Sequence, residues 1–559
     1  MNTHGAVEVK KKHDHKSQSS NNHSSKRSTV MVTTRLIRRV ITAFVAIAVV
    51  IGMVFGQTFR NNGTLNNTST FSTGTFENWR GSTAGKVNNR GTIGATVDYL
   101  NSNGTQNGLT HNQLGGVAGT INVNGNYTNS SGTTFNSLAA SLIRVGGALS
   151  NTTAANFSTD TGAVDYKAAT TQTVLATVKS STYGGLTLSG GSSAVKTLGG
   201  SVVVNGLVTI AASTEFAVGT SNILTLNAAS PFSGTGTFTA SATSATVNYN
   251  RNDNQNVRSS TYYNLTLADG GTKSAQGNIT LASGGALTNN GTFDLTTFDL
   301  DMSAASITVP ASDTVRTQGN VSFGANTFTF GGLFLYEKTA ANQGIGGATY
   351  TNLEMAGGAQ KDFPTTTVRV NGVYTAGGAG ARAYGTGTFA YGGSAASVTQ
   401  TVVSGESYYD LTITGAGDTT YTVAGRKQAN GSLVITNALS VAATNVLDMQ
   451  GNTFTTLGSG TNSGKLMWSG NNTHVGGAGV TELYGIGTGS VADGAYGILL
   501  FTGSGTKTVG GAGTSATNTG LVAMSIASLA VVDVTGTLTV NGDLENDGLL
   551  TNSGSITVQ

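Results

Sequence analysis

One short segment returns five times in this 559-residue chain, and that return constrains the fold more than any other feature. The copies are Tyr183-Gly-Gly-Leu186-Thr-Leu188, Tyr263-Asn-Leu265-Thr-Leu267, Tyr350-Thr-Asn-Leu353-Glu-Met355, Tyr409-Asp-Leu411-Thr-Ile413 and Tyr496-Gly-Ile-Leu-Leu500. Another run ending in tyrosine precedes each, at Tyr166, Tyr249, Tyr336, Tyr391 and Tyr484, and Ala95-Thr-Val-Asp-Tyr99 reads as a partial sixth copy. Duplication of one structural unit explains this pattern. The units fall near residues 95–180, 181–260, 261–348, 349–407, 408–494 and 495–559.

Four of the copies are followed by a glycine turn and a basic residue opening the next strand: Lys196, Lys273, Lys361 and Lys507. A further strand then ends in Asn-Gly, at Asn205-Gly206, Asn371-Gly372, Asn430-Gly431 and Asn541-Gly542. Asn and Gly accept positive φ at low cost, so these pairs are expected to be corners between strands. Within Asn264–Leu267 apolar and polar residues alternate, which turns Leu265 and Leu267 inward and Thr266 toward water. No long stretch of the body shows a 3.6-residue apolar period, so the fold class is all-β.

Two architectures fit. In an elongated right-handed parallel β-helix, a β-solenoid built of degenerate repeats, each strand pairs with its equivalent one coil further on. In a string of tandem β-sandwich domains each unit folds alone. The repeat tyrosines are 80, 87, 59 and 87 residues apart. A solenoid absorbs such differences as whole-coil insertions, whereas a 59-residue sandwich is hard to close, so the solenoid is the expectation. At about 20 residues and about 4.8 Å per coil it would form a rod on the order of 120 Å long.

Composition supports a regular β body. Glycine is 80 residues and proline only 3, which excludes collagen and proline-rich disorder. With no cysteine, disulfides, thiolate metal sites and thiol catalysis are all excluded. Through Arg39 there are nine Lys or Arg against two acids, leaving 20 basic and 24 acidic side chains in the body. The body is therefore near −4 and lacks the basic stripe that nucleic acid requires.

Residues 1–39 read as a basic, disordered leader, and residues 40–56 as an uncharged apolar segment, the layout of an export signal. Cleavage between Gly56 and Gln57 is expected; the alternative is an uncleaved membrane anchor over 40–56. Both place the body outside the cytoplasm. His4, His13, His15 and His23 lie in the polar leader and imply no fixed metal geometry.

At Tyr-x-Asn-Leu-Thr-Leu, Gly-Gly-x-Lys-Thr-Leu and Val-x-Val-Asn-Gly-x-Leu the chain resembles the long β-strand-repeat surface proteins of Bacteroidota and Chlorobi-type bacteria. Asn61-Asn-Gly-Thr-Leu65, Asn289-Asn-Gly-Thr-Phe293 and Asn552-Ser-Gly-Ser-Ile556 are similar to turns of filamentous-haemagglutinin-like and autotransporter-passenger β-helix adhesins. The resemblance covers most of residues 60–559. It implies a surface-exposed adhesive or structural role and no particular ligand.

The search for chemistry finds little. Asp299 and Asp301, with Asp294 nearby, are the best candidate carboxylate cluster, but no Arg or His accompanies them in sequence, so they read as solvated acids. The body's histidines, His111 and His474, leave little for acid and base work. Trp79 and Trp468 are isolated. The repeated tyrosines could offer an aromatic stripe to sugars; a ladder of rings stacked along the solenoid is the expected arrangement. No catalytic residue, cofactor or metal site is assigned. The expectation is a non-enzymatic, extracellular or cell-surface protein, structural or adhesive, able to assemble end to end into a filament or surface layer. Its partners would be other copies of itself, cell-surface or matrix components and surface glycans. The alternative is a carbohydrate-binding or polysaccharide-degrading β-helix.

Overall fold

A computed structural model describes residues 58–559, apart from 62–63, 68, 79–85, 90–91, 96–98, 102–109, 112–118, 131–133, 137–140, 155–156, 160, 269, 325–327, 378–379, 394–398, 416–425, 451, 453, 457–459, 469–476, 485–487, 492 and 511–512. The leader, the apolar segment 40–56 and the Gly56/Gln57 junction lie outside the described residues, as does His474.

The described body is a β-solenoid. Strands two to thirteen residues long alternate with tight corners, and every strand pairing among them is parallel. Partners lie about 18 to 22 residues apart in sequence in most coils, as in Leu142↔Ala163, Leu186↔Val208 and Leu538↔Ile556. Thr58–Asn61, Thr64–Asn67 and Thr70–Thr73 of the first coil enter three separate sheets, and the next coils add to each in turn. Thr58–Gln559 forms one compact unit. Tandem sandwiches would need antiparallel pairs and separate cores, so that alternative is overturned.

The alternation seen in sequence sets the interior. Leu186, Leu188, Leu265, Leu267, Leu353 and Leu411 are essentially inaccessible, and they belong to one apolar column running from Phe76 to Val540. Like residues also stack on like. Phe76, Tyr99 and Tyr127 occupy one register position, with ring centroids 4.8 Å apart at each step and interplanar angles of 12° and 7°. Asn129 Nδ2 donates to Asn151 Oδ1 at 2.8 Å one coil on. A parallel coil makes this inevitable: each side chain meets its equivalent at the coil spacing, so a residue type that satisfies its own kind is favoured.

The Asn-Gly corners need a correction. Gly542 has φ +136°, but Gly206 and Gly372 are not among the positive-φ residues. Gly206 is required for a different reason: a Cβ there would lie 2.2 Å from the carbonyl oxygen of Gly184 in the coil before. Asn541 and Gly542 lie inside the strand Thr537–Asn546 rather than at a corner between strands. Asn205 is exposed and accepts from Asn227 Nδ2 at 2.8 Å, and Asn371 accepts from Arg369 Nε at 2.9 Å.

Candidate functional site: seams between sheets

At five points a ladder of the solenoid stops and a new one starts. The strands Gln172–Val174, Gln255–Val257, Gln343–Gly344, Gln400–Val402 and Gly489–Val491 each begin a sheet, with a strand partner only in the coil that follows, and at the first of these points Thr182–Tyr183 begins a second new sheet. These seams are where the repeat's tyrosines and lysines sit.

Four seams are closed by the same device. The hydroxyls of Tyr166 and Tyr183 lie 2.9 Å apart, those of Tyr249 and Tyr262 3.0 Å, Tyr336 and Tyr350 3.0 Å, and Tyr391 and Tyr408 2.9 Å. In every pair the second tyrosine donates to a backbone carbonyl: Leu175, Arg258, Gly346 or Val403. The backbone N–H of that same residue donates to the first tyrosine's hydroxyl, at 2.9 to 3.1 Å. The first hydroxyl therefore donates to the second, and the pair closes a ring around one peptide residue. All eight rings are fully buried, which is affordable only because each hydroxyl is satisfied.

The seam glutamine completes the closure. Gln172, Gln255, Gln343 and Gln400 are buried, and each Nε2 donates to two carbonyls of the preceding coil, such as Leu226 at 2.8 Å and Ala228 at 2.9 Å for Gln255. Each Oε1 accepts a backbone N–H from the loop after the first tyrosine. The side chain so replaces the main-chain ladder missing at the seam. One coil on, a lysine stands in register beneath: Lys196, Lys273, Lys361 and Lys427 under glutamine, Lys507 under Gly489. These lysines are 0 to 1% exposed, so the basic residues legible in sequence face inward, and of Lys196, Lys273, Lys361 and Lys507 only Lys361 opens its strand, the others lying inside theirs. Lys196 Nζ donates to the carbonyls of Ala168 (2.6 Å) and Thr170 (3.1 Å) and to Gln172 Oε1 (3.1 Å). Lys273 reaches the carbonyls of Arg251 and Asp253 in the equivalent loop.

Burial governs the titration of these groups. Loss of water pushes the Tyr183, Tyr262, Tyr350 and Tyr408 hydroxyls well above the ordinary phenol value, and Tyr249 up to about 12. The same desolvation pulls the Lys196 and Lys427 ammoniums down to about 8.

Two tyrosine assignments from the sequence shift by one residue. The buried positions equivalent to Tyr183 and Tyr350 are Tyr262 and Tyr408; Tyr263 and Tyr409 are partly exposed. A register irregularity directly after the inward tyrosine, between Tyr262 and Asn264 and between Tyr408 and Asp410, bends the strand and turns its neighbour outward. The repeat is thus Tyr-x-x-Leu-x-Leu. The eight seam tyrosines pair through hydroxyls instead of forming a continuous stacked ladder, and their burial removes them as an aromatic stripe for sugars. Tyr99 belongs to the Phe76–Tyr127 stack instead. At the fifth seam Tyr496 is buried, but Tyr484 donates to Asp448, so that copy of the device is lost. The seam glutamines, Lys427 and the buried ion pair Arg382–Glu406, to which Tyr384 also donates at 2.8 Å, were not recognisable from the repeat alone. A signal for the glutamines exists: Gln-x-Val or Gln-x-Ile recurs six to nine residues after the first tyrosine.

Asp294, Asp299 and Asp301 each accept from a different backbone N–H, of Thr296, Asn320 and Ser303, and Arg316 of the next coil lies 3.9 Å from Asp294, so folding supplies beside Asp294 the arginine that its sequence neighbourhood lacks. Three seams open into lateral clefts: about 360 Å³ beside Gln172, about 230 Å³ beside Asn256 and about 250 Å³ beside Gln400. No known protein family, curated protein or solved structure matches this chain.

Proposed function

We propose that this chain is a structural and adhesive protein of the cell surface, in which the solenoid acts as an extended scaffold. The observation that carries the reading is the succession of parallel coils among the described residues from Thr58 to Val558 over one apolar column. Such a body gains length at constant cross-section and offers a long lateral surface. The basic leader and apolar segment ahead of it supply the route to the surface. Self-association end to end belongs to the same reading, through β-edge pairing between coils of two copies. Protease shaving of intact cells expressing the full chain tests the location: release of fragments of the body is expected, and complete protection while the cells stay sealed would contradict it. The second reading, a carbohydrate-binding solenoid, is favoured by the lateral clefts. It is compatible with the first.

A further inference from the structure

We infer that the cleft at the second seam is a binding subsite for an acidic sugar, a uronate unit of a surface or matrix polysaccharide. Its lining comes from three successive coils: Ser230, Pro231 and Phe232 from the first, Asn256 and Arg258 from the second, Gln276 from the third.

The argument rests on what the fold does not need. In the tyrosine device the residue at position 258 contributes only its backbone N–H and carbonyl. The same position is Leu175, Gly346 and Val403 at the other seams, so the architecture is indifferent to a guanidinium there. Asn256 likewise stands where Thr173, Gly344 and Thr401 stand elsewhere. The guanidinium and the carboxamide of this cleft are local to one seam, and the tyrosine and glutamine closure forms at the other seams without them.

Arg258 is partly exposed, and no carboxylate pairs with it among the described residues, whereas Arg316, for example, is matched by Glu337 at 2.8 Å. Its Nη2 donates to the carbonyl of Gly236 at 2.6 Å, and its guanidinium carbon sits 5.3 Å from the Phe232 ring centroid, which fixes its plane. Among the described residues no Asp or Glu lines the cleft. A pre-oriented cation without a counter-charge selects an anion, and a carboxylate matches the guanidinium fork. Asn256 Nδ2 donates to Ser230 Oγ at 3.0 Å, which leaves Asn256 Oδ1 to accept and the Ser230 hydroxyl to donate. Hydroxyl-complementary groups beside an apolar floor of Phe232 and Pro231 suit a pyranose ring. A volume of about 230 Å³ has room for one such ring and falls below the usual size of a pocket for larger ligands.

This inference rests on the adhesive part of the proposed function, but its test is independent of location. Trigalacturonate and its methyl ester, which lacks the charge, are titrated calorimetrically against the purified full chain and against Arg258→Leu and Asn256→Thr. Both substitutions install residues that the first seam already carries, so folding is retained, and an unchanged thermal midpoint verifies it. The expected result is a preference of about tenfold or more for the free acid, lost on Arg258→Leu and weakened on Asn256→Thr. Absence of binding by the native chain, equal binding of the ester, undiminished binding by Arg258→Leu, or equally tight binding of an oligoglutamate peptide would overturn the proposal. A failure here leaves the shaving experiment untouched, and protection in that experiment leaves the binding result standing.

Discussion

A single hydroxyl separates two adjacent tyrosines in their energetic roles. Tyr262 is fully buried, with its hydroxyl shared between Tyr249 and the Arg258 carbonyl, whereas Tyr263 is partly exposed at the bend. Tyr262→Phe should destabilise the solenoid by about 1–3 kcal/mol, because it strands two buried polar groups. Tyr263→Phe should cost less than about 0.5 kcal/mol. Urea denaturation of the two variants checks the contrast, and equal losses would place the wrong ring inside. Gly206 offers a second case at this scale. With a Cβ aimed at the Gly184 carbonyl from 2.2 Å, Gly206→Ala forces adjacent coils apart and should cost about 1–3 kcal/mol, read as a lowered unfolding midpoint.

The element that matters is the seam, where two tyrosines, a glutamine and a lysine hold a strand that has lost its upstream partner. Its titration behaviour predicts a two-sided pH profile. The buried tyrosines have raised pKa values in the folded state, so their contribution is intact below the ordinary phenol value of about 10 and is lost as pH climbs above it, for Tyr249 through about 12. Lys196 and Lys427 act in the opposite sense. With folded values near 8, their contribution is complete above the ordinary lysine value of about 10.4 and declines as pH falls through 8. The thermal midpoint should rise modestly between pH 8 and 10 and fall beyond 10, and a profile flat to pH 12 would contradict the burial of these hydroxyls.

Much of the element scale is legible in sequence, and the reason is periodicity. Alternation in Asn264–Leu267 is enough to face Leu265 and Leu267 inward, because a strand has only two faces. What periodicity cannot supply is the site of a register break. Tyr262 and Tyr263 look equally suited to the interior until the spacing shared by Tyr183 with Leu186 and Tyr350 with Leu353 is applied to both. The seam glutamines are hidden for another reason: a polar residue next to valine in a short strand reads as an outward position. Only the missing ladder explains why Gln255 is buried. Asn-Gly at 205–206 misleads similarly, since glycine there answers to the coil above rather than to its own φ.

At the scale of the molecule everything depends on coil-to-coil register. The absence of native cysteine makes that register directly measurable, because introduced cysteine pairs have a silent background. Thr187 and Thr209, Thr288 and Thr308, and Thr539 and Thr557 are parallel partners in successive coils on outward or partly exposed positions. Strand partners approach closely enough for a disulfide. Thr187 and Thr197 are nearer in sequence than any of these pairs but belong to different sheets. The decisive measurement is oxidative cross-linking of the three register pairs, each as a double cysteine variant, beside Thr187→Cys with Thr197→Cys. Parallel coiling predicts rapid intrachain bonds at all three register pairs and none at the fourth; cross-linking that follows sequence proximity instead would contradict the solenoid.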